Sequence, residues 1–179
     1  MALHLVPKPP PLEEDPRDLL FACHGRIRSF LALAAKAMEG PCDRLRVDAA
    51  REAGRFFALA LPLHAEDEDR SVAPRLRALG DRELDAELDS MTSEHEPIEE
   101  LARTVAAACA SLVETQRAPS AALESIARLS ALLEGHLERE ERIVFPALHR
   151  LSAGARREIA AEARERRKIA YTSPGVSRP

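Results

Sequence analysis

Six side chains of the kinds that hold transition metals recur in the same order in the two halves of this sequence: His24, His64 and Glu68, then His95, His136 and Glu140. The second His-x3-Glu follows the first by 72 residues with its surroundings repeated, His64-x3-Glu68-Asp69-Arg70-x3-Pro74-x-Leu76 against His136-x3-Glu140-Glu141-Arg142-x3-Pro146-x-Leu148. The lone histidines align at an offset of 71, as His24-x-x-Ile27-x-x-Phe30 and His95-x-x-Ile98-x-x-Leu101. Residues four apart on a helix lie on one face a turn apart, so each His-x3-Glu can turn a ring nitrogen and a carboxylate oxygen toward one cation. Two such halves suggest two cations. Imidazole with carboxylate suits iron, manganese or zinc, and the absence of nearby thiolates argues against a soft-ligand site.

Helices must carry these residues. Ala, Leu, Arg and Glu dominate, aromatic residues make up 3% and Trp is absent, a composition that favours an all-α chain over one with sheets. Five of the thirteen prolines fall in the first sixteen residues, so 1–14 reads as an extended or disordered arm. Asp15-Pro16 is a helix start and Gly40-Pro41 a stop, which sets a first helix over about 16–39. A second is expected from about 43 to 79, ending at Gly80, and a third from the Asp81 cap to about 116. Pro119-Ser120 separates a fourth over about 121–151, and a polar fifth covers 153–170 before the tail TSPGVSRP. The chain thus divides into the arm, a bundle over 15–151 and a C-terminal helix and tail over 152–179.

Apolar residues at steps of three and four mark the inward faces. They are Leu20, His24, Ile27, Leu31, Ala34 and Met38 on the first helix; Ala50, Gly54, Phe57, Leu61, His64, Glu68 and Val72 on the second. The third offers Leu84, Leu88, Met91, His95, Ile98, Ala102, Val105, Cys109 and Leu112; the fourth, Leu129, Leu132, His136, Glu140, Ile143 and Ala147. All six metal-loving side chains lie on these seams. An unpartnered polar group in an apolar interior costs roughly 2–7 kcal/mol, and an unpaired carboxylate several more. A cation would compensate all six; a purely structural His/Glu network is the alternative.

Composition narrows the setting. The chain has 179 residues, 31% of them charged, with a net charge of -4 and no basic face, which argues against nucleic acid. No run approaches the roughly 18 apolar residues that span a bilayer, and MALHLVPKPPPLEEDP is not a secretory leader. A cytoplasmic protein with no membrane partner is expected. Cys23, Cys42 and Cys109 form no C-x-x-C pair and read as small core or surface residues.

The ordered set His24, His64-x3-Glu68, His95 and His136-x3-Glu140, with Ser93-Glu94-His95 and Phe145-Pro146-Ala147-Leu148 in support, resembles the hemerythrin-like (HHE, cation-binding) family from about Asp15 to Leu151. The resemblance implies an antiparallel up-down four-helix bundle, here with an extra C-terminal helix and a Pro-rich N-terminal arm. It also implies a non-haem di-iron centre with an oxo or hydroxo bridge, for which manganese or zinc could substitute. Glu68 and Glu140 would bridge and the four histidines would be terminal ligands. The implied function is binding of dioxygen or a related small molecule such as nitric oxide, for sensing, scavenging or iron handling. A di-iron enzyme reducing peroxide or nitric oxide, and an interaction module with a structural metal, are the alternatives; no further acid/base constellation supports an enzyme.

Two departures stand out. Oxygen-carrying hemerythrins have a fifth histidine where this chain has Glu99, and they place the last carboxylate at i+5, where Glu141 stands beside Glu140. The repeat favours Glu140. Glu-x-x-His and His-Glu-x-x-His motifs are absent, which disfavours ferritin-like oxidases and zinc hydrolases. His4 and His149 read as solvent-exposed, as do Arg70 and Arg142, although the two arginines are also placed to bond the carboxylates. Pro62 and Pro97, each two residues from a candidate ligand, are positioned to bend their helices.

Overall fold

A computed structural model describes residues 15–172, with side chains as far as Ile169. The expected arm 1–14 and the last seven residues of the tail lie outside the described residues. The first helix, α1 (Pro16–Met38), starts where Asp15 Oδ1 accepts the Arg17 amide at 3.0 Å. Gly40 then turns the chain with φ 72°. The second, α2 (44–77), is capped by Asp43, and Gly80 ends its loop with φ 69°. Asp81 accepts the Glu83 and Leu84 amides at the start of α3 (Arg82–Thr115). The fourth, α4 (122–147), ends in a 3-10 turn over Leu148–Arg150, and α5 (Ala153–Thr172) follows. Each helix packs on its chain neighbour and α4 closes against α1, the ring of an up-down bundle, while α5 lies across α1 and α2.

Two apolar clusters fill the ring, one on each side of a polar layer. The first includes Ile27, Leu31, Phe57, Leu61, Ile98, Leu133 and Leu137; the second includes Leu20, Val72, Leu76, Leu88, Met91, Phe145 and Leu148. Between them, fully or nearly buried, sit His24, His64, Glu68, His95, His136 and Glu140. The expected seams of α1 and α3 are buried throughout, and on α2 only Gly54 is less than fully covered. On α4 two positions are corrected. Leu133, not Leu132, faces the core, with Leu132 45% exposed, and Val144 is fully buried while Ile143 packs half-buried against the second cluster.

The second correction has a backbone cause. Three π-helical turns interrupt the rods, Phe56–Ala60 and Glu68–Val72 in α2 and Glu140–Val144 in α4. A π turn holds one more residue than an α turn, so it advances the inward face by one position. Each ends two residues before a proline (Pro62, Pro74, Pro146), whose ring repels the carbonyl four residues back and offers it no N–H. That carbonyl belongs to the third residue of the π turn in every case: Ala58, Arg70 and Arg142. Pro97, by contrast, sits on the exposed side of an uninterrupted α3, so the bend expected there is not accompanied by any break.

Candidate metal centre

The two π turns nearest the polar layer begin at Glu68 and Glu140 themselves. Both carboxylates point between two imidazoles. Glu68 Oε1 lies 3.4 Å from His64 Nε2, and its Oε2 lies 3.4 Å from His95 Nε2. Glu140 Oε1 is 3.0 Å from His136 Nε2, and its Oε2 is 3.1 Å from His24 Nε2. Two overlapping sets result, His24/His64/Glu68/Glu140 and Glu68/His95/His136/Glu140, the donor atoms of each lying within 4.8 Å of one another. The rings pair accordingly: His24 meets His64, and His95 meets His136, with centroids 5.0 Å apart in both pairs.

Behind the rings a further layer of acids holds the outer nitrogens. His24 Nδ1 lies 2.8 Å from Glu141 Oε1, His95 Nδ1 lies 2.9 Å from Asp69 Oδ2, and His136 Nδ1 lies 3.0 Å from Glu94 Oε2. The residue after each central glutamate thus supports the lone histidine of the opposite half. An ionised carboxylate only accepts, so each Nδ1 carries the proton and each Nε2 turns its lone pair inward. There the lone pairs of His24 and His95 face carboxylate oxygens, and the Nε2 atoms of His24, His64 and His95, with all four oxygens of Glu68 and Glu140, are buried with no hydrogen-bond donor or acceptor in proper geometry. Acceptor facing acceptor at about 3 Å is repulsive unless a proton or a metal ion stands between. The donor set fits two ions of the iron, manganese or zinc type.

Without an ion, protons fill that role. Burial works against a charged His95, but Asp69 and Glu68 prevail and push it up to about 10. For His64 burial is likewise outweighed, by Glu68, Cys23 and Glu140, and its value rises to about 9. His136 also rises, through Glu140, Glu68 and Glu94 against burial. Glu140 is held far below the usual carboxylate range, burial being overcome by His136 and His24.

Other residues fall outside the layer. Glu99 pairs with Arg103 at 3.7 Å and belongs to neither set. Arg70 and Arg142 are exposed, whereas Arg28 bonds Glu141 at 2.7 Å and Arg139 pairs with Glu94. His149 is exposed at 3.2 Å from Arg17, and His4 lies outside the described residues. Sequence reasoning missed Cys23. It is buried beside His64, takes a 2.9 Å contact from Arg26, and lies 3.5 Å from Arg167 of α5. Burial opposes ionisation of this thiol, but His64, Arg26 and Arg167 bring it down to about 6. A thiol therefore does stand behind the site, and the available signal was its place before His24, matching Glu94 before His95.

Helix α5 covers this flank. Asp67, one residue before Glu68 and 1% exposed in its side chain, takes Arg166 at 2.6 Å and Arg167 at 2.5 Å, while Ala163 packs on Leu19 and Cys23. Among the described residues no helix is long and apolar enough to cross a membrane. The sequence matches the model of the Hemerythrin HHE cation binding domain over residues 15–147, with a further match over 104–172. No curated protein matches it.

Proposed function

Because the chain belongs to the hemerythrin HHE cation-binding family, we propose that it is a non-haem di-iron protein that binds dioxygen or a related small molecule such as nitric oxide, for sensing, scavenging or iron handling. The observation that carries this reading is the way Glu68 and Glu140 each offer one oxygen to the His24/His64 pair or its members and the other to the His95/His136 pair. His24 and His64 would hold one iron, His95 and His136 the other, and the two glutamates would bridge them. Iron bound there would supply reversible redox change and affinity for diatomic ligands.

The chain's own residues do the rest. Glu141, Asp69 and Glu94 fix three rings in the tautomer that turns Nε2 inward. The apolar clusters on either side exclude water from the layer and strengthen every charge interaction in it. Each set of four donors would hold one ion, and bound iron would supply the place where a small ligand attaches. Three cysteines free of disulfides fit a reducing compartment such as the cytoplasm.

Purified protein should carry about two irons per chain, with near-ultraviolet charge-transfer absorption that responds to air or nitric oxide. A His64→Ala/His136→Ala variant that keeps its full metal load would refute the reading. Turnover of peroxide or nitric oxide would make it an enzyme instead.

A further inference from the structure

The support behind the rings is not symmetric. Glu94 precedes His95 and holds His136; the residue at the matching place, before His24, is Cys23, and it faces His64. His64 Nδ1 is accordingly buried with no carboxylate behind it, whereas the other three rings are each held by one. Sulfur is a longer and weaker acceptor than a carboxylate oxygen. A further contrast points the same way. Glu141 receives His24 and Arg28 on the same oxygen, so a guanidinium competes for the lone pairs that hold His24, while Asp69 and Glu94 meet His95 and His136 on oxygens of their own.

We infer that the two metal positions are unequal, the His95/His136 position filling first and more tightly, and that Cys23 sets the difference by denying His64 the carboxylate its counterpart has. The inference rests on the two-metal reading. A carboxylate held behind a ligating imidazole raises its basicity, and losing one such partner typically lowers metal affinity about 10–100-fold. Cys23 is a positioning residue here and donates nothing to the ion.

Anaerobic titration of the full-length, metal-free chain with Co(II), followed by calorimetry and the visible d–d bands, tests this. Repulsion between two ions separates two binding steps even at identical positions, so the variants decide. His64→Ala should keep the first step at its original affinity and lose the second; His136→Ala should lose the tight step. Glu94→Cys should weaken the first step roughly 10–100-fold, and Cys23→Glu should tighten the second by a similar factor. If Cys23→Glu fails to fold, Glu94→Cys, at a partly exposed position, still decides. Equal weakening of the first step by His64→Ala and His136→Ala overturns the inference while leaving two ions per chain. A sulfur-to-cobalt charge-transfer band that disappears in Cys23→Ser also overturns it, by making Cys23 a ligand. Fewer than two ions on the unaltered chain defeats the underlying two-metal reading instead.

Discussion

His24 and Glu141, 117 residues apart in sequence, meet at 2.8 Å between Nδ1 and Oε1. The contact gives Glu141 a partner behind the ring. It occupies the i+5 place after His136 that the hemerythrin resemblance marks for the last carboxylate, yet it reaches the outer nitrogen of the ring, while Glu140 lies in both donor sets. Glu141→Ala should leave the fold intact, because Glu141 is a quarter exposed and Arg28 keeps Glu134 at 3.1 Å. It should weaken metal binding about 10–100-fold. Competition against a chelator, with circular dichroism as the folding control, measures this; unchanged affinity would mean that the ring needs no support.

Metal loading should be strongly pH-dependent. With His64 raised to about 9 and His95 to about 10, both rings are charged at neutral pH and must lose protons before they can bind. Two displaced protons give an apparent affinity that rises about a hundredfold per pH unit between 7 and 9, about tenfold per unit from 9 to 10, and then levels off. The ion-free protein shows the opposite trend in stability. A folded-state value above the ordinary 6.5 stabilises fully below 6.5, and the benefit is lost as pH rises through 9 to 10. Its melting temperature should therefore fall in that window, and a flat profile up to pH 10 would contradict the assignment of those protons.

Asp67 is the anchor of α5, and its partners matter more than it does. Removing Asp67 frees two arginines that are 17% and 23% exposed and can reach water. Removing both arginines strands a carboxylate in the interior, a change that costs about 3–5 kcal/mol for a buried pair. Arg166→Ala/Arg167→Ala should thus destabilise the chain more than Asp67→Asn and release α5 to protease. Urea unfolding with limited proteolysis compares the two; equal losses would place the anchor elsewhere.

Gly54 marks a close approach of α2 to α3. A Cβ there would lie 2.9 Å from Cys109 Cβ, an atom fixed to its backbone. Alanine gains about 1 kcal/mol in helix propensity, but overpacking costs about 1–3 kcal/mol. Gly54→Ala should lower stability by roughly 1 kcal/mol, and a rise in melting temperature would show that the two helices part without cost.

How far the sequence was legible depends on where the backbone stays regular. On α3, where no turn departs from α geometry, every expected inward residue from Leu84 to Leu112 is buried. On α4 the choice lay within the pairs Leu132/Leu133 and Ile143/Val144, whose members are equally apolar, so hydrophobicity could not choose between them. The π turn then shifted the phase at the second. Its proline signal was present in the repeat, but Pro97 shows that a proline alone does not dictate such a turn. The six central side chains were readable because they are polar intruders on apolar seams. Asp69, Glu94 and Glu141 were not, since acids on charged faces are common and only tertiary proximity singles out those behind a ring. Arg70 and Arg142 recur and face solvent as expected, while Arg28 and Arg139, which the repeat does not mark, do the pairing.

The crossing of the central glutamates makes half of this chain less than half of a centre. Severed at Gly80, the N-terminal hairpin would retain His24, His64 and Glu68 but would need Glu140 to complete its quartet and Glu141 to steady His24. Its C-terminal counterpart would be short of Glu68 and Asp69 in the same way. Ions shared between such fragments would act as rivets, so reassembly of the cut protein becomes something that a chelator can switch off and a metal salt can switch on.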